Sequence, residues 1–395
     1  MLAVLDVPEF RPLWLAEAIS LAGDQLAKVA LALLVYDRTG SALWSAVVYA
    51  LSFLPALAGG LGLSALADRV PRRSLMVGAA SIQAVLVALM AVPGLPLAGL
   101  CLLLVGMGVA QAPALAAQTA LTREIFTSDE LYYRSQDLRG VTTNTVMLLG
   151  LAGAGLLVAG IGASAALLAD AATFVLAALL VRLRVRERPP ASAVPIHWAA
   201  GIQHVWRRPR LRVLLGLSWL VGLAVVPEGL AAPLAAGLHA PSGAVGWLLA
   251  ADPLGFVIGT VLLSRFVPTA VRTRAIGGLA VASVGVLVLF ALRPSLPVAL
   301  VLLAVAGAAG AYQVTVVATF TSWVPNEVRG GALGVARTGL RVAQGLGVAA
   351  GGAVAELLGS ADAAIVAAGV LGVLLAVPAA LAWRRQLSRS PGQAG

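Results

Sequence analysis

Lys28 is the single lysine of this 395-residue chain, and it stands in the apolar stretch 13–35, LWLAEAISLAGDQLAKVALALLV. At 100° per residue, Glu17, Ser20, Asp24 and Lys28 fall at about 0°, 300°, 340° and 20° around a helix. Two carboxylates, a hydroxyl and an ammonium therefore share one face, and the rest of the helix is apolar. A charge deep in a bilayer is costly and faces a partner or water. A carboxylate there without a cation takes up a proton more readily than one in water, which is what proton coupling requires. The same chemistry recurs along the chain. Glu228 and Asp252 lie in the apolar stretches 211–236 and 243–265, and Arg337, Arg341 and Gln344 share one face of 331–357. The proton-carrying candidates are thus Asp24, Glu228, Asp252 and Glu17, with Lys28, Arg337 and Arg341 as charge partners. Counting Asp170 as well, five buried acids face three bases, so two carboxylates are left without a cation. A ligand in a polar cavity would meet Ser20, Gln111, Gln118, Tyr312, Thr315 and Thr319, which recur at helical spacing. Asp170, off that face, reads as structural, and an Asp24–Lys28 pair that only fixes packing is the alternative reading of the first stripe.

The elements that position these residues are membrane spans. With 60% hydrophobic residues, 11% charged and a mean hydropathy of +0.96, the chain is no ordinary soluble domain. Apolar runs broken by charge, Gly and Pro give twelve spans: 13–35, 42–67, 74–93, 96–121, 137–159, 163–182, 211–236, 243–265, 274–292, 296–322, 331–357 and 360–383. No cleavable leader is expected, because MLAVLDVPEFRP runs directly into span 1. Cys101, the one cysteine, reads as a packing residue in an apolar helix.

The basic residues sort by loop. All but five of the 27 fall at the termini or in loops following even-numbered spans, the exceptions being Arg38, Arg293, Lys28, Arg337 and Arg341. By the positive-inside rule both termini are cytoplasmic, which requires an even number of spans. The net charge of +10 then marks membrane orientation and not a nucleic-acid partner. A polar stretch with eight arginines, 182–212, divides the chain into bundles at 1–182 and 211–395 joined by a linker, 183–210. Its segment Ile196–Trp206 reads as an interfacial helix. Landmarks recur at nearly one offset: Arg11-Pro12 with Arg208-Pro209, Val70-Pro71 with Val267-Pro268, Pro55 with Pro253, and Gly108-Val-Ala-Gln111 with Gly310-Ala-Tyr-Gln313. They point to a duplicated six-helix unit whose halves enclose a site between them. The pairs Gly255/Gly259, Gly330/Gly334 and Gly347/Gly351 read as packing devices.

On these residues the chain resembles the major facilitator superfamily over its whole length. The segment Leu66-Ala67-Asp68-Arg69-Val70-Pro71-Arg72-Arg73 is similar to that superfamily's loop 2–3 signature, with Ser64 and Pro71 standing where glycines are usual. Phe10-Arg-Pro-Leu-Trp-Leu with Ser20-Leu-Ala-Gly23-Asp24, Leu168-Ala-Asp170-Ala-Ala-Thr-Phe174 and Val205-Trp206-Arg-Arg-Pro209 resemble the branch of proton-driven drug and siderophore exporters, including enterobactin exporters. The resemblance implies an all-α fold of two pseudo-symmetric six-helix bundles, with spans 1, 4, 7 and 10 lining the cavity. It also implies a cytoplasmic latch at Asp68, Arg69, Arg72 and Arg73; physically, a carboxylate at the end of span 2 can answer a helix dipole. Span 4 lacks the arginine, and span 5 the proline, usual in proton antiporters.

The expected function is proton-coupled export of a small amphipathic compound such as a drug, antibiotic, siderophore or other metabolite, by alternating access. The chain would act as a monomer in a bacterial plasma membrane, with lipid and a small-molecule substrate as its partners. The proton gradient would supply the energy without a cofactor. An importer or lipid flippase of the same fold is the alternative, and a non-transporting scaffold or sensor a remote one. The sequence offers no nucleophile–base pair, no metal-ligand cluster and no phosphate loop, so no enzymatic activity is expected. His197, His204 and His239 are too scattered for a metal site. Accessibility tags at both termini and at Ala191 should report the cytoplasm and one at Ala240 the outside. A C-terminus found outside would overturn the twelve-span topology.

Overall fold

The computed structural model describes residues 2–53, 70–126, 128–188 and 198–388. Asp68, Arg69, Ser64, Pro55, Ala191 and His197 lie outside the described residues, and so does the second part of span 2. Among the described residues the regular structure is entirely helical, and ten helices are long and apolar enough to cross a membrane. The two remaining expected spans are represented by Ala42–Leu51, the described helical part of span 2, and by Asn326–Leu358, span 11. The 33 residues of span 11 reach about 50 Å at 1.5 Å per residue, ample for a bilayer despite the arginines it carries. Large apolar side chains such as Leu102, Leu183, Leu292 and Leu357 point out of the protein, as a lipid-facing surface demands.

Several helices run past the apolar stretches that mark them in the sequence. Span 1 is Phe10–Thr39, span 3 Arg72–Met90, span 4 Leu97–Ile125, span 5 Asp129–Ile161, span 6 Ala163–Arg184, span 8 Ala244–Phe266 and span 12 Ala361–Ser388. Span 9 continues from Thr269–Gly285 into a 3-10 turn at Val286–Leu292. Span 10 bends at Ala311 between Leu296–Gly310 and Tyr312–Trp323. The interfacial segment forms a helix at Trp198–Trp206 whose Val205 is buried with Leu211, Leu214 and Trp383.

Span 7 is expected as one helix and is four: Pro209–Trp219, Val221–Ala224, Val226–Gly229 and Ala231–Gly237. Pro227 and Pro233 each remove an N–H that a continuous helix would use. The first break leaves carbonyls without their usual partners, and span 10 supplies substitutes. Tyr312 Oη donates to the Leu217 carbonyl at 2.7 Å, and Gln313 Nε2 to that of Ser218 at 2.7 Å. The Ser218 hydroxyl returns a bond to Gln313 Oε1 at 2.9 Å.

The chain forms two compact units. Unit 1 holds Met1–Arg38, Leu51–Val194 and Ser242–Gly246; unit 2 holds Thr39–Ala50, Pro195–Pro241 and Trp247–Gly395. The start of span 2 thus belongs with unit 2 and the start of span 8 with unit 1. Glycine explains both. In unit 2 Gly352 of span 11 lies against Ala46 and Ala42 of span 2, where any Cβ would collide. In unit 1 Gly155 of span 5 meets the backbone of Gly243 and Gly246. Glu356 of span 11 adds a cap to the start of span 2: its Oε2 accepts from Ser41 Oγ at 3.0 Å and from the Leu43 N–H at 3.3 Å.

Of the glycine pairs singled out in the sequence, Gly255 and Gly259 press against Ala304 and Ala308 of span 10, and Gly347 and Gly351 against Gly222 and Val226 of span 7. Gly330 meets open space and packs against nothing, because it lies near the polar start of span 11. Gly347→Ala should therefore destabilise the protein by about 1–3 kcal/mol through overpacking. Gly330→Ala should leave stability unchanged or slightly raised. Thermal unfolding in detergent checks both, and equal effects at the two positions would contradict the packing described.

Candidate functional site

The polar face of span 1 opens on a cavity within unit 1. Spans 1, 3, 4 and 6 enclose about 150 Å³ lined by Glu17, Ser20 and Asp24 from span 1, Gln83 from span 3, and Gln111 and Gln118 from span 4. Apolar walls come from Leu13, Met76, Leu115 and Phe174 among others. Of the stripe read from the helical period, Glu17, Ser20 and Asp24 line this cavity together with span 4, and Lys28 does not. Gln83 went unremarked in the sequence. It is the one amide of span 3, 5% exposed, and a single amide within the apolar run that follows Ser81 is the signal that would have found it.

Glu17 has a partner that sequence reasoning assigned to a loop. Arg139 of span 5 donates from Nε to Glu17 Oε2 at 2.7 Å and from Nη2 to Oε1 at 2.8 Å, a two-pronged pair with side chains 11% and 15% exposed. Span 5 starts at Asp129 and carries its polar first turns into the bundle, so the expected set of buried bases is corrected: Arg139 joins it and Arg337, which is exposed, leaves it. Trp14 Nε1 bonds Thr142 Oγ1 at 2.9 Å and Gly150 packs on Gln25, so span 5 is held along span 1 at three levels. Lys28 turns to Gln25 Oε1 at 3.2 Å, while its charge also acts on Asp24. The i,i+4 Asp24–Lys28 salt bridge of the alternative reading does not close; the shorter i,i−3 reach to Gln25 takes its place. Asp24 is left half-buried on the cavity wall.

Unit 2 holds a second cluster. Glu228, Asp252 and Arg341 gather around Tyr49 of span 2, whose hydroxyl donates to Glu228 Oε2. The breaks of span 7 bracket Glu228 between Val225 and Leu230. Asp252 lies against Gly307 of span 10, and Arg341 also donates to Gln344 Oε1 at 3.3 Å. Tyr49 was missed because span 2 reads as uniformly apolar. Arg337 is exposed. The span 10 candidates divide: Tyr312 is 1% exposed and committed to the span 7 carbonyl, Thr315 is 7% exposed, and Thr319 is half-buried. Tyr312 is thereby structural in position, since a hydroxyl buried there must satisfy a carbonyl.

A third group of charges lies at the arginine-rich end of unit 1. Arg72 pairs with Glu124 at the end of span 4. Arg73 reaches Glu187 beyond span 6 at 2.5 Å and the Val185 carbonyl at 3.3 Å. Arg188 grips both oxygens of Glu9 at 2.7 and 2.8 Å. Burial alone would raise the Glu9 carboxyl; the Arg188 bonds, the Arg186 N–H and both guanidinium charges outweigh it and hold it below the usual carboxylate range. The Ser74 hydroxyl holds Glu187 low against a smaller burial effect, helped by Arg73.

Ten described helices long and apolar enough to cross a membrane, with charged residues buried among them, mark a multi-pass membrane protein of the transporter class. The Major Facilitator Superfamily model matches residues 13–232 and 229–394, and the chain belongs to that superfamily. Solved structures share the fold. A bacterial homologue of the human lysosomal transporter Spinster matches at 16% identity and a TM-score of 0.76, over 98% of this chain and 99% of its own. A bacterial homologue of the iron transporter ferroportin matches at 16% and 0.70, over 95% and 99%. The nucleoside transporter NupG matches at 17% and 0.69, over 94% and 99%. No curated relative matches by sequence.

Arg139→Ala strands Glu17 and should cost about 2–4 kcal/mol, between the values for exposed and fully buried pairs. Adding Glu17→Gln should restore most of that loss. Unfolding midpoints of the two single variants and the double variant measure the coupling, and strict additivity would rule the pair out as a stabilising contact.

Proposed function

We propose that this transporter exports a small amphipathic compound from the cytoplasm in exchange for protons. The observation that carries the reading is the unit 1 cavity, where amides and a hydroxyl surround two carboxylates, one of which, Asp24, has no salt-bridge partner among the described residues. Glu17 on the same wall is neutralised by Arg139. A lining of Ser20, Gln83, Gln111 and Gln118 beside apolar walls suits a compound of mixed polarity, which can bond to the amides and lay its hydrocarbon against Leu13, Met76 and Phe174. Asp24 can hold either a proton or a cationic group of the substrate, and that exclusion is the elementary condition for exchange.

In this reading residues 1–182 and 211–395 are the two repeats that rock about the site, with 183–210 as the cytoplasmic linker. Both termini are cytoplasmic, and the chain works as a monomer in a bacterial plasma membrane. The latch comprises Asp68, Arg69, Arg72 and Arg73, of which Arg72 and Arg73 anchor span 3 to the ends of spans 4 and 6. The unit 2 group of Glu228, Asp252 and Arg341 is the second place where charge can change during the cycle.

Asp24→Asn keeps the shape of the side chain and fixes it uncharged. In proteoliposomes with a defined pH gradient, wild type should couple substrate movement to proton movement. Asp24→Asn should keep substrate exchange but lose gradient-driven accumulation. Full gradient-driven movement by the variant would make Asp24 structural and move the coupling site to Glu228 and Asp252. Substrate should be depleted from cells carrying the protein; accumulation in them would identify an importer instead.

A further inference from the structure

Behind the cavity wall, span 6 presents a second carboxyl group to the same stretch of span 1. Asp170 is 0% exposed. Its Oδ1 lies 3.2 Å from Thr173 Oγ1, but that hydroxyl has one hydrogen and sits closer, at 2.7 Å, to the Asp170 main-chain carbonyl. Oδ2 is buried with no hydrogen-bond partner. Span 1 meets this carboxyl with Gly23, where a Cβ would overlap Asp170 Oδ1 and Thr173 Oγ1. The residue that follows is Asp24, one position along span 1 from that contact.

Among the described residues Asp170 has no cation of its own. Lys28, the one base of this stretch of span 1, donates to Gln25. Span 3, which packs along span 6, has no charged side chain between residues 74 and 90, and span 5 has none between 140 and 161. Among the described residues of spans 1, 3 and 5, the titratable groups on the stretches beside Asp170 are therefore Asp24 and, one turn further along span 1, Lys28. An ionised carboxylate in that setting would be buried without a cation, with one oxygen unsatisfied and a like charge beside it. A carboxylic acid has no such cost, and the hydrogen on its Oδ2 needs an acceptor. Two neighbouring carboxyl groups shielded from water commonly share one proton.

We propose that Asp170 and Asp24 form a carboxyl–carboxylate pair holding one proton, with Asp170 storing it away from water and Asp24 exchanging it with the cavity. The transfer is balanced: the O–H bond on Asp170 breaks as one forms on Asp24, and Asp24 then passes the proton to cavity water. The pair goes from one negative charge to two on release. Release is therefore favoured when Lys28 or a cationic group of the substrate stands beside Asp24, and uptake when it leaves. This inference rests on the proton-coupled reading above and adds a positioning and storage residue to it.

Infrared spectroscopy of the purified protein reads the protonated carboxyl directly, through its carbonyl stretch, without any need for transport. Wild type should keep a protonated-carboxyl band at neutral pH, and Asp170→Asn, nearly isosteric in the tight contact with Gly23, should lose it. In proteoliposomes Asp170→Asn should still bind substrate but release fewer protons per substrate, with a flattened pH profile. If wild type releases protons and Asp170→Asn releases the same number with the same profile, the pair is overturned while proton coupling stands. If wild type releases none, the coupled reading itself falls. Should Asp170→Asn fail to fold, Asp24→Asn decides: the Asp170 band must shift when its charged neighbour is removed, and an unmoved band overturns the pair.

Discussion

Inside a hydrocarbon slab a lone charge costs several kcal/mol, and this chain places acids and bases there in unequal number. Much of unit 1 can be read as the answer. Arg139 is drawn into the bundle because Glu17 is there, and with it come the first turns of span 5, which would otherwise sit in a loop. Gln25 takes the lysine, so Asp24 keeps its face to the cavity. What the pairing leaves over is chemically useful: a carboxylate beside amides, in a space that water and a small molecule can share.

Pairing charges requires helices to come close, and closeness here is a matter of glycine. Gly23 lets span 6 press its carboxyl onto span 1, Gly150 admits Gln25, and Gly222 and Gly347 let the backbones of spans 7 and 11 touch. In lipid there is little hydrophobic force to draw helices together, so van der Waals contact and the few polar bonds must do it. Both are lost if a methyl group holds the backbones apart. The same glycines that look like packing devices therefore decide which polar groups can meet.

The sequence displays those features that depend on local period. Apolar length shows the spans, and the 100° step shows that Glu17, Ser20 and Asp24 share one face and Gln111 and Gln118 another; that both faces line a cavity is what the resemblance implies. Partners across helices were not legible. Arg139 follows a run of charges from Arg123 to Asp137 and looks like part of a loop, although the helix has already begun at Asp129. Lys28 has an acid four residues back and an amide three back, and only side-chain geometry selects the amide. Asp170 seemed structural because nothing in the sequence indicates that Gly23 faces it. Span 7 carried its warning openly in Pro227 and Pro233, yet the first break lies upstream of both, where span 10 compensates the backbone.

That compensation ties together two segments about a hundred residues apart. The carbonyls of Leu217 and Ser218 lean on Tyr312 and Gln313, so the bend in span 7 is written partly in another helix. Neither segment is free to drift alone over generations. A lineage that straightened span 7 would leave a buried phenol and amide with nothing to hold, and one that lost the tyrosine would gain nothing until the bend relaxed. Homologues should therefore change these positions in step or leave them as they are, and a sequence carrying half of the exchange should be rare.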